Sequence, residues 1–261
     1  ALRDGFSKVT IGRSDSGNLM TIGDAFHSFE VKATTQARDV DATLKDEYVF
    51  LSDKLFIKGD IQAPVDRVTI DARTVTIFLV NIHMPNGGAD SGLTAKEAIF
   101  EVDEQIVVGG WVRGIDLADI EVLNTTGVDT IVTYDDGLNG LTIDAAGVIE
   151  GLNNGSHIRI NTAQSIKHAG LIEAKGIGST LDLDGATTVT LLEGSVVAGR
   201  SADAFLDLAA GEFFIMEPAS AITAGAVFDN SSGAPVPVLT GVGADVVVTS
   251  PNELLIGGSI T

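Results

Sequence analysis

Carboxylates and a few imidazoles are the only residues of this chain whose types and spacing invite a chemical reading. Asp135 and Asp136 are adjacent, and Asp182, Asp184 and Asp207 recur in alternating segments (LDLD, FLDL). Cleaving a glycosidic bond takes two carboxyls at a fixed separation, one of them with a raised pKa. Neighbouring residues of a strand face opposite ways, so Asp135 and Asp136 cannot share a site there. Followed by Gly137-Leu138-Asn139-Gly140, they read as a turn. Asp182, Asp184 and Asp207 read as outer, solvated positions. Among the histidines, His83 in NIHMP reads as a turn residue rather than a ligand. His157 and His168 fall in successive repeats at non-equivalent positions, and His27 lies among strands. Asn86-Gly87-Gly88-Ala89-Asp90 is only a fragment of a nonapeptide calcium loop. No serine-hydrolase, zinc-protease, phosphate-loop or dinucleotide fingerprint is present. With no cysteine, thiol chemistry and disulfides are excluded. The reading assigns no catalytic residue and no cofactor.

The elements that would position these groups form a repeat. Residues 143–151 (IDAAGVIEG), 166–176 (IKHAGLIEAKG), 189–199 (VTLLEGSVVAG) and 214–225 (FIMEPASAITAG) share one pattern, and their first residues are spaced by 23, 23 and 25 positions. A period of this length carried by strands marks a solenoid, whose coils bury their apolar faces only against each other. Ile158–Ile160, Leu181–Leu183 and Leu206–Leu208 alternate, which predicts that Ile158, Ile160, Leu181, Leu183, Leu206 and Leu208 point inward. The residues between them should form outer columns: Arg159, Asp182 and Asp207; Asp144, Lys167 and Thr190; Glu150, Glu173 and Val197. Opposite charges at some steps favour the register. Like charges at Asp182/Asp207 and Glu150/Glu173 are places where Ca²⁺ uptake is an alternative to water. The first third reads as short strands between glycine turns, with LFIKGDI at Leu55 echoed by IVVGGWV at Ile106 two coils later. Thr74–Ile82 reads as a strand covered on both faces. Leu93–Gln105 has a composition open to helix or strand.

Composition narrows the function classes. The chain is 44% hydrophobic but only 5% aromatic, which suits a narrow Val/Ile/Leu interior better than a broad core. A net charge of −20 argues against nucleic acid, whose phosphates need clustered Lys and Arg. The acid is uneven: 101–150 holds 11 acidic residues and one basic, Arg113, and 201–261 holds 7 acidic and no basic residue. No apolar run is long enough to span a membrane as a helix. The sole tryptophan, Trp111 in VVGGWVRG, is expected against glycine. The ends, ALRDGF and GGSIT, suggest a piece of a longer or processed chain.

The phrases LRDGFSKVTIGRSDSGNLMTI, DRVTIDARTVTI, GLTIDAAGVIEG and TVTLLEGSVVAG resemble the haemagglutinin-type repeats of filamentous-haemagglutinin-like adhesins and giant bacterial surface exoproteins, most closely at Asp4–Ile22 and Ile143–Gly225. The resemblance implies a right-handed parallel β-helix outside the cell, serving adhesion, matrix or envelope structure.

The expectation is therefore an all-β, parallel, right-handed β-solenoid with coils of about 23–25 residues. Residues 1–130 form its less regular part and 131–261 its regular coils. Its expected role is non-enzymatic: an adhesin shaft, or a self-assembling subunit of a filament, sheath or surface layer at the bacterial cell surface. The alternative is a carbohydrate-active β-helix enzyme, a lyase or hydrolase. Its partners would be adjoining coils or further copies, end to end, through an edge at Val246, Val247, Val248, Leu254, Leu255 and Ile256.

Overall fold

Alternation of apolar and polar residues becomes, in three dimensions, a stack of coils with three flat sides. A computed structural model describes residues 8–13, 17–23, 29–30, 47–78, 91–122, 139–201, 203–229, 236–239 and 244–261. Its secondary structure is all strand, without a helix among the described residues. The strands stack in parallel as a β-solenoid. Nine coils are described: coil 1 (8–30), coil 2 (47–63), coil 3 (67–95), coil 4 (97–114), coil 5 (117–151), coil 6 (157–174), coil 7 (180–199), coil 8 (205–224) and coil 9 (245–260).

Each coil contributes one segment to each face, and register lines up like with like. On the first face one inward column runs Val9, Tyr48, Val68, Ala98, Ala118, Ile158, Leu181, Leu206, Val246. The second face stacks Met20, Leu55, Val75, Ile106, Leu141, Ile166, Val189, Phe214 and Leu254. The third carries Ile61, Leu93, Val112, Ile149, Ile172, Val197, Ile222 and Ile260. Away from the ends these side chains are almost wholly buried and join one continuous core. All six residues predicted to point inward are buried, and Leu181 pairs in parallel with Leu206. A one-residue slip would turn each such column outward, so burial itself fixes the register.

The coil length varies because loops at the corners vary. Leu141, Ile166, Val189 and Phe214 are offset by 25, 23 and 25 residues, whereas Tyr48 to Val68 takes 20 and Ala118 to Ile158 takes 40. One excursion, between coils 8 and 9, carries an antiparallel pair, Ala226–Asp229 with Val236–Leu239. Leu55 and Ile106 are two coils apart, as their sequence echo implies.

Leu93–Gln105 lies wholly inside the strand Gly92–Val108. Its buried residues Leu93 and Ala95, then Ala98, Phe100 and Val102, alternate. That is a period of two, interrupted where the register shifts at a corner, and a helix would need one of 3.6. Of Thr74–Ile82, Val75 and Ile77 are inward with Thr74 and Thr76 half-buried outside them, and residues 79–82 lie outside the described residues. Corners are sharpened by local chemistry. Gly194 turns with φ 78°, and one coil later Ala219 takes φ 62° at the equivalent place, a conformation that costs a residue with a Cβ. Ser220 follows that turn and donates its hydroxyl to the Glu217 carbonyl at 2.6 Å.

Candidate functional site

The outer columns of the first face gather the acid of the middle of the chain. Asp71, Glu101 and Glu121 stand in successive coils at one register position, followed by Asn161 and Asp184. The neighbouring column runs Asp119, Arg159, Asp182 and Asp207. Strand spacing sets such neighbours about 4.8 Å apart. Burial foremost, then the charge of Asp103, raises Asp71 above the ordinary carboxylate range. Glu101 is raised by burial, then by Asp71, Glu121, Asp119 and Glu47. Asp182 is raised by burial, then by Asp207 and Asp184. Arg159 does not pair with Asp182, the step that sequence alignment suggests. Its guanidinium forks onto Asp119, with Nε donating to Oδ1 at 2.9 Å and Nη2 to Oδ2. That bond raises the Arg159 pKa. Asp71, Glu101 and Asp182 therefore retain their protons more readily than free carboxylates do. Among the described residues no group of three or more His, Asp or Glu is placed to hold a metal ion.

The third face carries a chain of alternating charges. Arg113 Nε donates to Glu150 Oε2 at 2.7 Å, and Lys175 Nζ donates to Glu150 Oε1. Lys175 also lies 3.6 Å from Glu173 Oε2, while Arg200 Nε donates to Glu173 Oε1. Both carboxylates point outward from strands yet are buried under these cations. Burial works to raise the Glu150 pKa, but Lys175 and Arg113 outweigh it and hold the carboxyl below its ordinary value. Arg113 also lies 4.7 Å above the Trp111 ring. That ring fills the space where a Cβ on Gly92 would stand, 2.6 Å from its atoms, so the tryptophan does rest on glycine.

Two predicted columns need correction. Glu173 is followed by Ala198, and Val197 points inward opposite Ile172, because the turn into this strand is two residues longer than one coil earlier. Lys167 stands opposite Thr142, not Asp144, because the offset there is 25 and sets Ile143 against His168. The column Arg159, Asp182, Asp207 is found as expected.

His157 and His168 belong to one coil, on its first and second faces. His157 shares a hydrogen bond with the Thr180 hydroxyl. His168 is inward and fully buried between Ile143 and Leu191. Its Nε2 donates to the Val196 carbonyl at 3.0 Å, while Nδ1 is buried without a partner. Burial pushes its pKa down to about 4, so it is neutral core rather than a ligand. His27, His83, Asp135, Asp136 and residues 86–90 lie outside the described residues.

At coil 9 the core comes to the surface. Leu254 and Ile256 are 46% and 43% exposed, whereas Phe214 and Met216, which they cover in coil 8, are 0% and 2%. Val246 and Val248 are half-buried and inward, and Val247 and Leu255 are outward and exposed. Coil 1 is similar, with Val9, Ile11 and Met20 only partly buried.

No protein-family model, no curated protein and no solved structure matches this chain. No helix among the described residues is long and apolar enough to cross a membrane.

Proposed function

We propose that this chain is a structural shaft: a non-enzymatic, extracellular β-solenoid unit of a large bacterial surface protein, working by stiffness along its axis. The observation that carries this reading is the continuity of the stack. Three parallel ladders pass from coil to coil through every described turn, and one apolar core follows them. A pull along the axis must then break rows of backbone bonds and open the core together. The Arg113–Glu150–Lys175–Glu173–Arg200 chain spans the joints between coils 4, 5, 6 and 7 and resists sliding of one coil on the next. An extracellular setting agrees with the absence of cysteine and the acidic surface, and rests chiefly on the haemagglutinin-type resemblance of the repeats.

The test is single-molecule pulling on the 261-residue chain. The nine coils, stacked at about 4.8 Å per coil, should resist a pull along the axis and yield in steps of whole coils. Release of the chain without such steps would overturn the reading. So would polysaccharide cleavage by the purified chain that is lost in Asp182→Asn, since Asp182 is raised by burial and stands in register with Asp207.

A further inference from the structure

Two buried polar atoms of one third-face column lack partners, and we infer that they close on each other as an acid-released strap. Trp111 Nε1–H donates to Asp60 Oδ1 across Gly92, tying coil 4 to coil 2 while Asp60 is ionised and letting go when the carboxyl is protonated. The strap lies within the fold and does not depend on the shaft reading.

Register brings the pair together. Asp60, Gly92 and Trp111 hold the same outward position in coils 2, 3 and 4, each opposite the next. Val148 flanks Trp111 on the coil 5 side, but the indole leans towards coil 3. A Cβ on Gly92 would lie 2.6 Å from each of the indole atoms Cδ1, Cδ2 and Cε2. Nε1 is bonded to two of those atoms, so the N–H edge takes the place of the side chain that Gly92 lacks. Asp60 stands one strand further on, about 4.8 Å away. A larger residue at position 92 would hold the ring off, so glycine opens the route from coil 4 to coil 2.

The two groups are chemically matched. An indole N–H only donates, and an ionised carboxylate only accepts. Asp60 Oδ2 accepts from Gln62 Nε2, whereas Asp60 Oδ1 and Trp111 Nε1 are buried without a partner. Buried polar atoms are rarely left so, because the unmade bond costs the desolvation of the group. The ring rests on Gly92 and under the Arg113 guanidinium, 4.7 Å from its centroid, and Arg113 is itself tied to Glu150 at 2.7 Å. Closing therefore takes a small tilt of the indole rather than a rearrangement of the coil.

Protonation undoes the match. Each oxygen of Asp60 faces a donor, so an added proton finds no acceptor and must displace Gln62 or the indole. Burial raises the Asp60 pKa, while Gln62 and the charge of Arg113 work to lower it. The indole N–H joins the lowering side, because it bonds the ionised form. Around the site, Glu30 of coil 1 stands in register with Gln62, and the uncharged Thr94 of coil 3 stands between Gln62 and Arg113. Glu150 of coil 5 is engaged by Arg113 and Lys175. Lys58 is turned to the Phe56 and Phe78 rings, and Lys96 lies 3.8 Å from Asp116.

Trp111 is the only tryptophan, so the isotope-labelled full chain gives a single indole N–H signal in NMR spectra. That signal should shift with one midpoint as pH falls from about 7 to about 3, a range that spans the ordinary aspartate value near 3.9. In Asp60→Leu the indole proton should exchange with water at least about tenfold faster than in the parent at the same neutral pH. Asp60→Asn keeps an acceptor but no titrating proton, and should lose the midpoint while retaining most of the protection. Glu30→Gln and Glu150→Gln should each keep a midpoint. An indole signal that does not titrate in the parent overturns the strap, as does one that titrates alike in the parent and in Asp60→Asn. An unchanged exchange rate in an Asp60→Leu chain whose amide spectrum keeps the parent fold overturns it too.

Discussion

His168 gives the core a pH dependence that a purely aliphatic column would lack. Its pKa is about 4 in the fold against an ordinary value near 6.5. The unfolded chain therefore takes up a proton that the folded chain refuses. The stability that the neutral imidazole allows is fully present above pH 6.5 and is lost as pH falls towards 4, by about 1.4 kcal/mol per pH unit and about 3 kcal/mol in all. Asp71, Glu101 and Asp182 act in the opposite sense, because their raised values add stability as they protonate. Comparison with His168→Leu removes these shared contributions. Leucine continues the column of Ile143 and Leu191 and leaves no unpartnered Nδ1. The variant should match the parent near pH 7.5 and exceed it by about 2 kcal/mol at pH 5 in urea titrations. A constant difference between the two pH values would show that the imidazole stays uncharged in the unfolded chain or charges within the fold.

Among the elements, the third-face strands depend on cations from neighbouring coils: Arg113 one coil before Glu150, and Lys175 and Arg200 one coil after Glu150 and Glu173. Lys175 lies just past the strand Leu171–Ala174, and Arg200 just past Val196–Gly199. Lys175→Met keeps the aliphatic stem but leaves Glu150 and Glu173 facing each other without it. Breaking a buried ion pair costs about 3–5 kcal/mol, and Lys175 retains a third of its side-chain exposure, so the low end of about 3 kcal/mol is expected. In a Glu150→Gln/Glu173→Gln background the same change should cost under about 1 kcal/mol. Equal costs in both backgrounds would mean that the lysine contributes through packing alone. The strands themselves were legible in sequence because alternation is a property of neighbours: IRI, LDL and LDL name their own inward residues. The charge chain was not, because its partners lie 25 to 37 residues apart and depend on corner lengths that shift each column independently. That is why the structure moves Val197 and Asp144 out of their expected columns and keeps Asp182 and Asp207 in theirs. A sharper signal was available, in acids at Glu150 and Glu173 each followed one repeat later by Lys175 and Arg200. The inward position of His168 is not legible for a different reason: it shows only once the 25-residue offset is known.

For the whole molecule, the strongest consequence of a solenoid is that one coil can be removed and the stack closes again. Deleting Ile160–Asp182 takes out 23 residues, one full repeat, and joins Arg159 to Leu183. The fused strand His157-Ile158-Arg159-Leu183-Asp184-Gly185 keeps apolar residues inward at its second and fourth positions. Arg159 stays opposite Asp119, its present partner. Glu173 and Lys175 leave together as a neutral pair, and Arg200 moves to the corner that Lys175 occupied beside Glu150. Deleting Ile160–Leu181, one residue fewer, joins Arg159 to Asp182. That fusion turns Leu183 outward and points Asp182 and Asp184 into the core, where an unpaired carboxyl costs several kcal/mol. The 23-residue deletion should melt cooperatively within a few degrees of the parent, and scattering should show its rod shortened by about 4.8 Å. The 22-residue deletion should lose its cooperative transition or melt far lower. If the two deletions behave alike, the coils do not carry the register that their columns imply, and the stack owes its order to the corners instead.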